Sequence, residues 1–260
     1  MGELRTEDRG AVRILTLDNP QKRNALDFAT LADIRAACAA AAKDAVRCLV
    51  FRGAGEKAFS SGFDIGAIPT GPQEGDRPDL AVERTMEAVE AVPCPTIAFL
   101  NGGAFGAGGE LAVTCDLRVA RPGVAIGMPP AKLGVVYPPG GLRRFLSLVG
   151  PARARELFFT GRAVDTDEAL AIGLVDRVVP ADAAEAAVLA LAEDIGRNAP
   201  LAVQGMKRIL RLLEAAAERG FTDAEREEVA ALRRRAFESD DVAEGRAAFL
   251  EKRPPRFRGR

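Results

Sequence analysis

Glu110 is the residue whose setting most invites chemistry. It sits in NGGAFGAGGELAVTCD (Asn101–Asp116), which packs five glycines into the eight positions Gly102–Gly109 and then turns apolar. The pattern predicts a strand that stops, bends on glycine and starts a helix around Ala107–Cys115. The first amides of a helix have no internal partner, and the axial dipole favours negative charge beside them. Small residues at such a bend let a ligand atom reach those amides, and a developing oxyanion is one such ligand. Glu110 follows Ala107 by three residues, so the two share a helix face. A group held at the Ala107 amide would have a proton carrier beside it. A glutamate in a first helical turn is also favoured by the dipole alone, so this spacing leaves both readings open.

Phosphate chemistry fails on spelling. A P-loop needs a Lys-Ser or Lys-Thr after its glycines, and none follows here. Gly106 and Gly108 supply two glycines of a dinucleotide fingerprint, but the third position is Leu111. There is no serine for a nucleophile elbow. The chain has no histidine, which removes the Ser-His-Asp triad, the Cys-His pair and histidine-ligated zinc. Acid–base work falls to carboxylates, the single Tyr, Lys, Cys or water.

A second small-residue bend, FSSGFD (Phe59–Asp64), could bring the Phe63 amide toward the same place. Two N–H donors on one carbonyl oxygen make an oxyanion hole, and losing one donor from such a site costs ~2.7–4 kcal/mol of transition-state stabilisation.

The elements that would position these bends follow from the periodicity. LRTEDRGAVRILTLD reads as two strands around Gly10, and NPQKRN as a turn. Asp27 caps a helix with Leu31, Ile34, Cys38 and Ala41 at helical spacing. VRCLVFRG is a buried strand ending on glycine, and AGEKAFSSGFDIGAI a loop. The Pro/Gly-rich PTGPQEGDRPD precedes a helix around Leu80–Val92, with Ile68–Val92 an expected pocket wall. PTIAFLNG is a second buried strand ending on glycine, so a unit of strand, glycine loop and helix recurs at Val46–Ala67 and Pro95–Cys115. DLRVARPGVAIGM reads as two strands around Pro122-Gly123, and PPAKLGVVYPPGGLRRFLSLVG as a loop entering a helix. A short strand, a short helix (TDEALAIG) and the strand LVDRVV follow. From Ala181 the chain reads as almost wholly helical, with Thr222 and Glu225 forming a capping box. Alternating strands and helices indicate an α/β architecture.

Composition bounds the rest. A chain of 260 residues fits one domain or one and a half and can bury a large core without disulfides or metal. Lys plus Arg is 36 and Asp plus Glu 37, a balance against a dedicated nucleic-acid binder. The Arg-rich pieces LRRRAF and RPPRFRGR read as solvated faces and a tail, with local anion binding open to them. Cys38, Cys48, Cys94 and Cys115 lack Cys-x-x-Cys spacing and read as buried free thiols, as suits a reducing cytoplasm. The polar start MGELRTEDRGAV has no apolar signal segment, and no 18-residue apolar run exists to span a membrane.

EKAFSSGFDI, NGGAFGAGGELAVTCDLRVA and EGRAAFLEKRPPRF, in that order, resemble the crotonase superfamily, the enoyl-CoA hydratase/isomerase family; the likeness extends from about Ile14 to Arg256. It implies an α/β spiral of ββα units over residues 1–195 and a helical region at 196–260 that packs trimers, often paired into hexamers. It implies an acyl-CoA substrate, with coenzyme A entering as part of that substrate and no other cofactor or metal. The thioester oxygen would lie between the amides of Phe63 and Ala107, which stabilise an enolate. Lys22 and Arg23 would meet CoA phosphates, and the Ala25 backbone the pantetheine arm. Ser60, Ser61, Asp64 and Ile65 would line adenine and pantetheine, and Phe249 and Lys252 would reach a neighbouring subunit's CoA. The alternative for each of these basic residues is a solvated surface charge.

Glu110 matches the first of two catalytic glutamates of the hydratases. The position of the second is Pro130, which carries no transferable proton. MPPAKLGVVY instead resembles the methylmalonyl-CoA decarboxylase branch, which has a tyrosine where Tyr137 stands; that branch has a polar residue at the place of Phe63, although only the amide is needed there. Loss of CO2 itself generates the enolate, so no base is required to start. Tyr137 could hydrogen-bond a carboxylate or protonate carbon, or merely pack where loop meets helix. A reading of another class is a non-catalytic scaffold holding CoA or RNA.

Overall fold

Val12–Asp18 alternates its side chains between two interiors. Val12 and Ile14 face one apolar cluster, Leu15 and Leu17 the other. The same split recurs in the next strands, with Cys48 and Val50 against Leu49 and Phe51, and Ile97 and Phe99 against Ala98 and Leu100. A sheet covered on both faces needs such near-continuous apolar strands. The structure, a computed structural model, describes residues 2–44, 46–67, 77–217, 223, 227, 230, 231, 234, 238–253 and 255. The Thr222–Glu225 capping box, positions 68–76 of the expected pocket wall and most of the two Arg-rich pieces lie outside these residues.

Two sheets share the strands. The first contains β1 (Glu3–Arg9), β2 (Val12–Asp18), β3 (Cys48–Gly53), β5 (Thr96–Leu100), β7 (Leu117–Ala120) and β10 (Arg177–Val178), in that spatial order. The second contains β4 (Ala58–Ser60), β6 (Gly103–Phe105), β8 (Ile126–Gly127) and β9 (Ala163–Val164). β1 and β2 are antiparallel; β2, β3, β5, β7 and β10 run parallel, as do β4, β6 and β8. Each pass of the chain therefore gives one strand to each sheet: β3 then β4, β5 then β6, β7 then β8. This is the expected α/β spiral, and the repeat at Val46–Ala67 and Pro95–Cys115 is two of its turns.

Helices fill the space around the strands. α1 (Phe28–Lys43) is capped by Asp27, whose side chain accepts from the Thr30 amide, and it buries Leu31, Ile34, Cys38 and Ala41 as the spacing predicts. α2 (Pro78–Ala91) packs on α1, and α3 (Ala107–Thr114) is buried throughout. α4 (Pro139–Thr160) bends at Gly150-Pro151, and α5 (Thr166–Ala171) is capped by Asp165. α6 (Ala184–Arg197) lays Ala184, Val188 and Ala192 on the outer face of the first sheet and crosses position 195/196. α7 (Pro200–Ala217) and α8 (Asp240–Leu250) follow. The four cysteines are buried free thiols; burial pushes Cys38 and Cys115 up to about 12, Cys94 to about 11, and Cys48 in the same direction.

One expectation changes. The segment AGEKAFSSGFDIGAI is not all loop, because Ala58–Ser60 forms β4. Its pairing with β6 is supplied by the next turn of the spiral, so no local periodicity announces it. The two strands expected around Pro122-Gly123 are present as β7 and β8, one in each sheet.

Candidate active site

The glycines of Asn101–Asp116 make room first of all for the protein itself. A Cβ on Gly102 would lie 2.4 Å from the Ala58 amide nitrogen, and one on Gly108 would lie 2.6 Å from the Ser60 carbonyl oxygen. Both glycines thus seat the second turn of the spiral against β4 of the first. At these two positions a neighbouring strand of the protein accounts for the missing side chain. Gly106 does something else: its φ of 51° lets β6 turn into α3, and a Cβ there would meet nothing.

The two bends adjoin. Gly62, at φ 92°, lies so close to the other bend that a Cβ on it would be 2.6 Å from the Phe105 carbonyl oxygen and 3.2 Å from the Ala107 nitrogen. Phe63 is bridged in parallel to Leu26: the Leu26 amide donates to Gly62 O (2.8 Å) and the Asp64 amide to Leu26 O (2.8 Å). That pattern leaves the Phe63 amide outside the bridge. Ala107 opens α3, so its amide is among those without an intrahelical acceptor. The Phe63 ring stands edge-on to Phe28, centroids 5.3 Å apart.

Glu110 is fully buried in the first turn of α3. Its Oε2 accepts the Tyr137 hydroxyl at 2.5 Å, and its Oε1 accepts Arg144 Nη1 at 2.9 Å. Tyr137 keeps part of its ring accessible and packs beside Phe158. Gly141 makes this meeting possible, since a Cβ there would be 2.4 Å from the Tyr137 ring and 2.9 Å from Glu110 Oε1. Arg144 is itself buried, with Nε on Glu90 Oε1 at 2.9 Å and Nη2 near Glu83 Oε1 at 3.3 Å. One guanidinium thus serves three carboxylates. Burial pushes the Glu110 carboxyl up to about 7, against the lowering effects of the Tyr137 hydrogen bond and the Arg144 charge, and with Glu83 adding to the rise. Burial and the Glu110 charge hold the Tyr137 hydroxyl well above its ordinary value. For Arg144, burial opposes the charge, but Glu90, Glu110 and Glu83 outweigh it and keep the guanidinium protonated.

Sequence reasoning missed Arg144, Glu83, Glu90 and Gly141. The signal available was PPGGLRR, whose glycines and arginines follow Tyr137 directly. Pro130 begins a tight turn (Pro130–Leu133) and is buried. α8 closes over that turn: a Cβ on Gly245 would be 2.8 Å from the Leu133 carbonyl carbon, and one on Gly134 would be 3.0 Å from Asp241.

The other predicted residues form two groups. Lys22 donates to Asp64 Oδ2 at 2.7 Å, and Asp64 Oδ1 accepts the Gly66 amide, holding the turn Ile65–Ala67. The Ser61 amide donates to Arg23 O (2.9 Å) and its hydroxyl to Lys22 O (3.1 Å). Ala25 is buried, and Ser60 is fully buried with its Oγ accepting the Gly62 amide at 3.1 Å. The Lys22–Ala25 and Ser60–Ile65 segments are therefore one structural unit beside the Phe63 bend. Phe249 and Lys252 stand apart from it, exposed at the end of α8 and bonded to each other through Lys252 N and Phe249 O.

Known proteins resemble this chain over nearly its whole length. The carnitinyl-CoA dehydratase of Citrobacter koseri is 35% identical over 96% of this chain and 96% of its own. A solved methylmalonyl-CoA decarboxylase in complex with 2-nitronate-propionyl-CoA superposes with a TM-score of 0.92 at 30% identity, covering 99% of this chain and 98% of that one. The enoyl-CoA hydratase of Bacillus anthracis superposes with a TM-score of 0.78 at 31% identity, covering 99% of both chains. The sequence model described as enoyl-CoA hydratase/isomerase matches residues 7–260, and the chain belongs to that family.

Proposed function

We propose that this acyl-CoA enzyme decarboxylates a 2-carboxyacyl-CoA thioester of the methylmalonyl-CoA type. The observation that carries this reading is the occupancy of Glu110: both carboxylate oxygens are engaged, by Tyr137 and Arg144, while Pro130 stands where a hydratase would hold its second carboxylate. The closer superposition on the decarboxylase, 0.92 against 0.78, supports the same choice.

The carbon–carbon bond to the carboxylate breaks, CO2 leaves, and the electron pair moves onto the thioester oxygen as an enolate. The amides of Phe63 and Ala107 receive that charge, fixed in place by the backbone before the reaction begins. With Glu110 protonated, its carboxyl donates to the Tyr137 oxygen; Tyr137 gives its hydroxyl proton to the α-carbon as the enolate collapses, takes the Glu110 proton in its place, and water reprotonates Glu110 for the next turnover. A carboxyl with its midpoint near 7 supplies that form at neutral pH.

Lys22 and Arg23 bind the CoA phosphates, Ala25 the pantetheine arm, and Ser61, Asp64 and Ile65 its walls, over the buried support of Ser60. Coenzyme A is present only as part of the substrate. Residues 196–260 form the trimer-packing region, with Phe249 and Lys252 meeting a neighbouring subunit's CoA. A second reading, hydration or dehydration of an enoyl-CoA, is favoured by the 35% identity to the carnitinyl-CoA dehydratase.

Turnover of methylmalonyl-CoA and crotonyl-CoA by the same preparation separates the two. Release of CO2 with little hydration is expected. Fast hydration of crotonyl-CoA overturns the decarboxylase reading, and CoA binding with no turnover of either ester returns the molecule to the scaffold class.

A further inference from the structure

Arg144 touches no bend of the proposed oxyanion site, yet it fixes what Glu110 can do. Its guanidinium has two anchors away from Glu110: Nε lies on Glu90 at 2.9 Å and Nη2 beside Glu83 at 3.3 Å. Both anchors come from α2, and Glu83 is itself held against the start of α4, where a Cβ on Gly140 would collide with its carboxylate at 2.0 Å. With those edges tied, the fork presents Nη1 to Glu110 Oε1 in one direction. The carboxylate plane is then set, and Oε2 is left for the Tyr137 hydroxyl.

We infer that Arg144, braced by Glu83 and Glu90, is a positioning residue that selects the Glu110 oxygen facing Tyr137 and so aims the tyrosine hydroxyl. The inference rests on the reading that Glu110 and Tyr137 are the working pair. A lysine cannot reproduce it, because an ammonium is a point charge without a planar fork. The direction of the Glu110 shift agrees: the Arg144 charge pulls the carboxyl down while burial and Glu83 push it up.

The chain offers a direct readout. Tyr137 is its only tyrosine and there is no tryptophan, so ultraviolet emission follows this one ring. Emission from a phenol hydrogen-bonded to an ionised carboxylate is quenched, so a pH titration of that emission reports Glu110 without any substrate. In the wild type the midpoint is expected near 7. Arg144→Gln should move it upward and lower kcat roughly 10- to 100-fold, the loss expected for a charge-assisted hydrogen bond. Arg144→Lys keeps the charge, guards against a folding failure in the glutamine variant, and should move the midpoint less. It should still lower kcat about tenfold with KM unchanged, because the fork is gone. An Arg144→Lys enzyme with wild-type kcat and wild-type titration overturns the inference. If the wild type turns over neither thioester, the functional reading fails, and the emission titration of the two variants still decides the role of Arg144.

Discussion

Glu110, fully buried in the first turn of α3, and Asp116, partly exposed two residues beyond its end, show two ways of holding a carboxylate. Asp116 is saturated at one oxygen. Its Oδ2 accepts the Thr96 amide (2.7 Å), the Thr96 hydroxyl (2.9 Å) and Lys207 Nζ (2.6 Å), and Lys207 also donates to Cys94 O. Each donor is fixed by another element, so Asp116 ties β5 and α3 to α7. Glu110 is deeper and poorer. It shares one guanidinium with two other carboxylates, and its remaining donor is a phenol that is itself reluctant to ionise. A carboxylate given enough donors becomes a clamp; a fully buried one given too few is poised to exchange a proton.

That contrast breaks most visibly at the poor end. Glu110→Gln and Tyr137→Phe should each lower kcat on the order of 100-fold or more, the usual worth of a positioned acid or base. Equal loss in Asp116→Asn would erase the distinction. At the saturated end, Lys207→Met should leave kcat nearly unchanged and cost about 2–3 kcal/mol in denaturant unfolding, a figure reduced from that of a fully buried pair because Asp116 is partly exposed. Gly141→Ala sharpens the comparison from the packing side. A methyl group 2.4 Å from the Tyr137 ring must displace it, which should cost about 1–3 kcal/mol and lower kcat about tenfold by parting the Tyr137–Glu110 pair.

The smallest effect is in pH. Because the Glu110 carboxyl is raised in the folded protein, its contribution to stability is fully present below the ordinary carboxylate value and is lost as pH rises through about 7. The Glu110→Gln protein should therefore melt above the wild type on the alkaline side of 7 and lose that advantage in acid. The protonated form carries the proton in the proposed reaction, so wild-type kcat should also fall as pH rises through the same midpoint. A rate that climbs across that range would reverse the assigned role of Glu110.

Much of the scaffold could be read along the chain because its signals are local. Asp27 announces α1, and the apolar runs at Cys48–Gly53 and Thr96–Leu100 announce strands buried on both faces. The Glu110–Tyr137 contact itself could not be read that way. Its members lie 27 residues apart, and the motif likeness named both without joining them. Arg144 was less legible still. On a helix rich in arginine it looks like any solvated charge, and only burial under α2 separates it from its exposed neighbour Arg143. β4 shows the same limit: three residues carry no period, and the strand exists because the next turn of the chain lies alongside.

That pairing has a consequence for the gap between the Gly62 and Gly106 bends. Each bend directly follows a member of the β4–β6 pair, and paired strands stand about 4.8 Å apart whatever side chains they carry. The separation is thus a gauge cut into the main chain, indifferent to drift in the residues around it. Chemistry can be rewritten by exchanging a proline, a tyrosine or an arginine on the surrounding elements while that gauge stays true.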